Sequence, residues 1–394
     1  ITAHIEYLRG LLANKKLILE LIKEDLARLK DNFGDDRRTE IGYGMDADFN
    51  MEDLIREEDV FVSITQRGYA KRTPVTAYRK QARGGKGLIG MSTRDEDELE
   101  HLFTAGTHNS ILFFSDYGKV YAIKAYEIPE MDRTAKGTSL MNILPLMPEE
   151  KITAAVPVPN FDDAEFLTMI TRKGRIKRIG VNNFANVRPS GLRALTLDGD
   201  DRLGWVKLTS GEQDLILVSE QGKGIRFSEQ DVRPMGRTAA GVNAMRLDAW
   251  DYIAGADVVT PGDDLLLLTE KGYGKRTALD EYRQQNRYGQ GVRAMILEPE
   301  RTGKIIGARV VTSGDEITCI SSNGIILRTS SDFISKQGRT TQGVRVMDLR
   351  EGDTVASVAV VREGLLSKVS EESAGEESAN GQTETEDLDK TVEA

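Results

Sequence analysis

Ile170-Thr171-Arg172-Lys173-Gly174-Arg175-Ile176-Lys177-Arg178 carries the pattern that decides the fold. An apolar run ends in a small hydroxyl residue, a turn holds one glycine, and a second extended stretch closes on bases. The pattern recurs at Ile64-Thr65-Gln66-Arg67-Gly68-Tyr69-Ala70-Lys71-Arg72 and at Phe114-Ser115-Asp116-Tyr117-Gly118-Lys119-Val120-Tyr121. It returns at Val218-Ser219-Glu220-Gln221-Gly222-Lys223-Gly224-Ile225-Arg226, Leu268-Thr269-Glu270-Lys271-Gly272-Tyr273-Gly274-Lys275-Arg276 and Ile320-Ser321-Ser322-Asn323-Gly324-Ile325-Ile326-Leu327-Arg328. The turn glycines stand 50, 56, 48, 50 and 52 residues apart.

A second glycine tracks the first. Gly87, Gly137, Gly241, Gly291 and Gly343 each follow it by 19 residues, and Gly191 by 17. Four residues before the second glycine stands Arg83, Arg133, Arg237, Arg287 or Arg339, while the shorter third copy has Val187 there and Arg188 next. Two landmarks locked over six copies define a repeat of about fifty residues.

The apolar runs at Val60–Ile64, Ile111–Phe114, Phe166–Ile170, Leu215–Val218, Leu265–Leu268 and Ile317–Ile320 have strand length. A run of that length, a turn glycine and a second extended stretch make a β-hairpin signature. Fifty residues suit one four-stranded blade, and six blades set radially close a disc with short, protected edges. The chain is therefore predicted to be mainly β, a six-bladed propeller-like disc over residues 59–362. An open solenoid is the alternative, but neither end of the array resembles a capping repeat.

Outward from the repeats the chain changes character. Residues 1–33 place Ile5, Leu8, Leu12, Leu19, Ile22, Leu26 and Leu29 at steps of three, four or seven, which predicts one long helix of coiled-coil type. Gly10 is its one internal weak point, and Gly34 can cap its end. Residues 34–58, dense in Asp, Arg and Gly, read as a connector. Residues 363–394 hold ten acids against Lys368 and Lys390 and few large apolar side chains, which predicts a disordered acidic tail. Such a tail is either an inert solubilising segment or a competitor with a polyanion for basic surface.

The 394 residues carry 53 Lys and Arg against 63 Asp and Glu, a net charge of −10. The two ends account for the deficit, so residues 60–362 are net basic and an anion-binding role in the middle is open. No apolar run reaches the roughly 18 residues of a membrane span. One cysteine, Cys319, and three scattered histidines exclude an internal disulfide and a Cys/His zinc site. The first residue is Ile1, and the chain reads as a piece of something longer, with the cytosol as its plain compartment.

The bases recur at matched places: Lys71 and Arg72, Arg175, Lys177 and Arg178, Arg226, Lys275 and Arg276, and Arg328 on the strands after the turns, with the arginines beside the second glycines. Solvated blade edges with edge-blocking lysines would explain some of them. Recurrence in nearly every copy instead spreads positive charge around a whole rim. A disc of about 300 residues has a radius of roughly 25 Å. One turn of duplex around it would take roughly 65 base pairs and cost on the order of 25 kcal/mol in bending. Only a dozen or more phosphate contacts spread around the perimeter could offset that. The most distinctive loop is in the first copy, Tyr78-Arg79-Lys80-Gln81-Ala82-Arg83-Gly84-Gly85-Lys86-Gly87, whose three glycines let backbone N–H groups approach a phosphate. It is not a nucleotide-binding Walker loop, because Gly87 follows Lys86 where Ser or Thr is needed.

Gln81, Arg83, Gly84, Gly85, Lys86 and Gly87 resemble the seven-residue box of DNA gyrase A subunits, Gln-Arg-Arg-Gly-Gly-Lys-Gly, with Ala82 departing from it. Phe33-Gly34-Asp35-Asp36-Arg37-Arg38-Thr39-Glu40-Ile41 is similar to the same family's connector. The resemblance spans essentially residues 1–362. It implies the last helix of a coiled-coil arm followed by a six-bladed β-pinwheel that wraps double-stranded DNA with positive hand, so that a type II topoisomerase introduces negative supercoils. It also implies that the family's catalytic tyrosine lies upstream, leaving this chain non-catalytic alone. ATP and Mg²⁺ would be used by a partner B subunit in an A2B2 assembly, with no cofactor in this chain, in the bacterial cytoplasm beside the nucleoid. Arg79, Lys80, Arg133, Arg237, Arg287 and Arg339 join the box as expected DNA contacts. Topoisomerase IV, the decatenating paralogue, and a protein-interaction propeller are the rival readings.

Overall fold

In the computed structural model, the described residues are 1–35, 51–65, 67–75, 99–132, 135–163, 165–323 and 325–362. The box, Arg79, Lys80, Arg133, most of the connector and the acidic tail lie outside them. The chain divides into two compact units, residues 1–53 and 54–394.

The first unit corrects the single-helix expectation. Helix α1 spans Thr2–Ala13 and α2 spans Lys15–Phe33. The break falls at Asn14, not at Gly10. Asn14 is extended (φ −131°, ψ 105°), and its side chain accepts the N–H of Lys16 at 3.0 Å. Asparagine competes for nearby backbone donors and so favours a cap over a helix interior. The glycine costs helix stability without offering an alternative bond, and the helix runs through it. The predicted apolar stripe is present and uncovered, with Ile5, Leu8, Leu19 and Ile22 all exposed.

The second unit is the expected propeller. Each repeat supplies a central hairpin, and the first strand of that hairpin is buried along nearly its whole length, as in Asp264–Thr269. Burial on both faces is why these strands read as unbroken apolar runs instead of alternating ones. The hairpins pair antiparallel in one shared register: Val62 faces Arg72, Thr168 faces Arg178, Ile216 faces Arg226, and Leu266 faces Arg276.

On one side of each hairpin lies a longer inner strand: Leu99–Gly106, Ile152–Val158, Leu203–Thr209, Ile253–Val259, Ile305–Val311 and Val355–Val361. Each inner strand touches the next, and the last touches the first, so the ring is closed. On the other side lies a two-residue outer strand: Thr138–Ser139, Leu192–Arg193, Val242–Asn243, Val292–Arg293 and Val344–Arg345.

The outer strand comes from the following repeat. Leu192–Arg193 of the third repeat pairs with Lys119 and Val120 of the second, and Val344–Arg345 of the sixth pairs with Tyr273 and Gly274 of the fifth. The expected blade of one repeat is thus corrected to a blade of three strands from one repeat and one from the next. Five such four-stranded sheets are described, with three strands described in the sixth. Among the described residues, the apolar core lies between blades, in five clusters that each join one blade to its successor. Exchanged strands and shared cores make each blade depend on its neighbour.

Candidate nucleic-acid interface

The outer strand and the loop before it form the perimeter of each blade, and the second glycine sets how closely that loop lies on the blade beneath. Gly241 has φ +80°, and a β-carbon there would collide with the carbonyl of Ile176. The requirement is for left-handed backbone and close approach together, which only glycine meets.

Lys71, Lys177 and Lys275, predicted as rim contacts, have no exposed surface at all. Each ammonium is spent on backbone carbonyls, at least one of them in a perimeter loop of the next repeat. Lys71 Nζ donates to Asp132 O at 3.1 Å and Ala135 O at 3.0 Å. Lys177 Nζ donates to Ala194 O and Arg237 O, both at 2.6 Å. Lys275 Nζ donates to Gly338 O and Arg339 O, both at 2.7 Å. These lysines fasten loops from inside; a phosphate cannot reach them. Burial pushes the Lys177 and Lys275 ammonium groups down to about 8, with Arg237 adding to the effect at Lys177.

The strand-end arginines are also committed. Arg72 pairs with Glu130 at 2.9 Å and donates to Ile128 O at 2.8 Å. Arg178 is nearly buried against the ring of Phe166, 3.6 Å from the Glu229 carboxylate. Arg226 pairs with Asp214 at 2.8 Å, and Arg276 lies 3.4 Å from Asp264 while donating to Ile334 O. Arg328, paired with Glu316 at 2.6 Å, is the most exposed of this set. Their register explains the pairing, because each sits opposite the first hairpin strand, and Arg72, Arg178, Arg226 and Arg276 also lie beside the loop of the next repeat.

The perimeter itself carries other bases. Arg237 is exposed at the head of its loop. Arg175 braces the end of that loop through Ala240 O and Gly241 O, at 3.1 and 2.9 Å, and pairs with Asp198 at 2.8 Å. Arg287 and Arg339, half-exposed, link neighbouring outer strands through Asn243 O at 3.0 Å and Arg293 O at 3.3 Å. Sequence reasoning missed the second residue of the outer strand, where Arg193, Arg293 and Arg345 are exposed on three blades. The signal was available, since each arginine stands two residues after the second glycine. The fifth loop adds Tyr288, half-exposed in left-handed backbone (φ 65°) and aligned in the repeat with Gly84 of the box.

The class this geometry defines is a closed six-bladed propeller with exchanged outer strands and arginines repeated on its perimeter. Comparison with known proteins narrows it. A family model described as DNA gyrase C-terminal domain, beta-propeller, matches residues 59–105, 109–159, 165–210, 213–260, 263–312 and 315–362, and the chain belongs to that family. It is 49% identical over 357 residues to the DNA gyrase A subunit of Halalkalibacterium halodurans and 43% identical over 357 residues to that of Clostridium acetobutylicum. Each alignment covers 91% of this chain and 43% of the relative, so the chain spans less than half the length of these relatives. Among solved structures it resembles a C-terminal domain of DNA topoisomerase IV, with TM-score 0.70, 27% identity, and coverage of 80% of this chain and 98% of that one. It also resembles a DNA gyrase A C-terminal domain, with TM-score 0.61, 28% identity, and coverage of 77% and 99%.

Proposed function

We propose that this chain is the DNA-wrapping module of a gyrase A-type protein, bending double-stranded DNA around the propeller perimeter. The observation that carries the reading is the recurrence of exposed arginines at one register position on three of the five described outer strands, Arg193, Arg293 and Arg345, around a closed ring, with Ser139 and Asn243 at that position on the other two. Charge placed that way meets a backbone that follows the perimeter, and phosphate contacts position without reading sequence. The braced loops add to it. Holding Arg237 and Arg339 on buried lysines fixes where the cations stand before the duplex arrives, which reduces the ordering cost of binding.

In the parent enzyme this module would work beside a B subunit that uses ATP and Mg²⁺, and the wrap would have positive hand. A second reading, topoisomerase IV, is favoured by the closer shape likeness to that enzyme's C-terminal domain. It calls for DNA bending without the defined positive wrap.

Counterion release provides the test of binding. Affinity for a roughly 130-base-pair duplex of arbitrary sequence is measured between 50 and 200 mM salt. The reading expects a loss on the order of 10³-fold or more, with little change between sequences. Affinity flat with salt, or absent at 50 mM, contradicts it.

A further inference from the structure

The axis of the propeller holds a second cluster of charge, remote from the perimeter. A cavity of about 770 Å³ runs between the inner strands. Lys207, Asp257 and Arg309, which line it, occupy one register position on three consecutive inner strands, opposite Thr168, Ile216 and Leu266. They stand at one depth on neighbouring blades. His101 lines the same cavity from the first repeat.

The charges there do not balance. Asp257 is nearly buried and fully engaged, accepting from Lys207 Nζ at 2.8 Å and from the backbone N–H groups of Val258 and Val310 at 3.1 Å each. Burial pushes its carboxyl up, but Lys207 and Arg309 more than offset this and hold it below the usual carboxylate range. Arg309 gives one N–H to Ala308 O at 3.1 Å and pairs with no carboxylate among the described residues. His101 Nε2 is buried and has no hydrogen-bond partner. Burial first, then the charges of Arg309 and Lys207, drive the His101 imidazole down to about 4. Two cations therefore share one saturated carboxylate, beside a neutral ring with an unused nitrogen. Such a set has donors to spare and lacks a second anionic acceptor.

We propose that this axial cavity is an anion site, binding a phosphate-class oxyanion between Arg309, Lys207 and the Nε2–H of His101. A phosphate group supplies the acceptor oxygens that the cluster lacks, and Arg309 offers it a planar pair of donors. Condensed phosphates fit the class best, since they bring more than one charge into a cavity that is open at its mouth. The inference is independent of the DNA reading, because none of these side chains lies on the perimeter.

The test uses the whole chain and inorganic pyrophosphate. Calorimetric titration is run on the wild type and on Arg309→Gln, with the His101 side-chain resonances followed by NMR at pH 5.5. The expected result is one saturable site per chain, weakened at least tenfold in Arg309→Gln, with His101 moving from neutral toward protonated as the anion binds. Equal binding by the variant, or His101 resonances that ignore the anion, overturns the proposal and assigns any binding to the perimeter bases. Inner strand Val355–Val361 leads to Arg362, which also lines the cavity, so carboxylates of residues 363–394 are the other source of acceptor oxygens. A variant with all ten tail carboxylates changed to amides separates the two. Unchanged pyrophosphate affinity leaves a soluble phosphate as the occupant. A tenfold gain identifies the chain's own carboxylates as the resident acceptor and overturns the phosphate assignment.

Discussion

Three buried lysines divide the basic residues of this chain into those that face solvent and those that hold the perimeter in place. An unfolded lysine keeps its proton to about 10.4, whereas folded Lys275 releases it at about 8. Between those values the unfolded chain binds the extra proton, so this group's contribution to stability rises with pH across that window. Between pH 8 and pH 10, denaturant unfolding is expected to show a stability gain smaller by on the order of 1–3 kcal/mol in Lys275→Met than in the wild type, with Lys177 contributing in both. Equal increments in both proteins would contradict the assignment. The arginines divide in the same way. Arg293→Ala and Arg345→Ala should each weaken DNA binding uniformly across sequences and lower the salt slope by about one, with little change in melting temperature. Arg276→Ala instead removes a partner from the buried Asp264 carboxylate and should cost about 2–4 kcal/mol in thermal unfolding. Sequence could register that bases recur, but not which were buried. Arg276 and Arg293 are the same letter as text, and only the exchange of strands between repeats puts a loop over the first and solvent over the second.

At the scale of elements, the hairpins were legible because a strand buried on both faces writes itself as an apolar run followed by a turn glycine. The outer strands were not, since two residues carry no periodicity. Their marker was the second glycine, a record of close approach between one repeat and the blade before it. That contact is expected to be unforgiving. Gly343 has φ +76°, and a β-carbon there would press on the Gly274 carbonyl. Gly343→Ala should destabilise the propeller by about 2 kcal/mol or more in denaturant unfolding; a loss under about 0.5 kcal/mol would mean the loop can lift without cost. The helical segment shows the opposite case. Its stripe was readable, but a local side-chain bond at Asn14 outweighed the propensity of the surrounding residues for one continuous helix.

For the whole molecule, closure matters most. The last inner strand touches the first, and every described outer strand belongs to the repeat after the blade it completes. A ring tied in that way presents its perimeter as one surface, on which the proposed wrapping would set many modest contacts against the cost of bending a duplex. Six repeats and the basic box were visible in the sequence from the start. The depth of each base and the charged ring at the axis became visible only once neighbouring repeats were placed side by side. The measurement that tests the central claim most directly is to ligate nicked plasmid circles in the presence of this chain, remove the protein, and read the linking number on gels. A positive change that grows with protein concentration is the predicted result. Unchanged linking number despite tight binding would contradict chiral wrapping and favour bending of the topoisomerase IV kind.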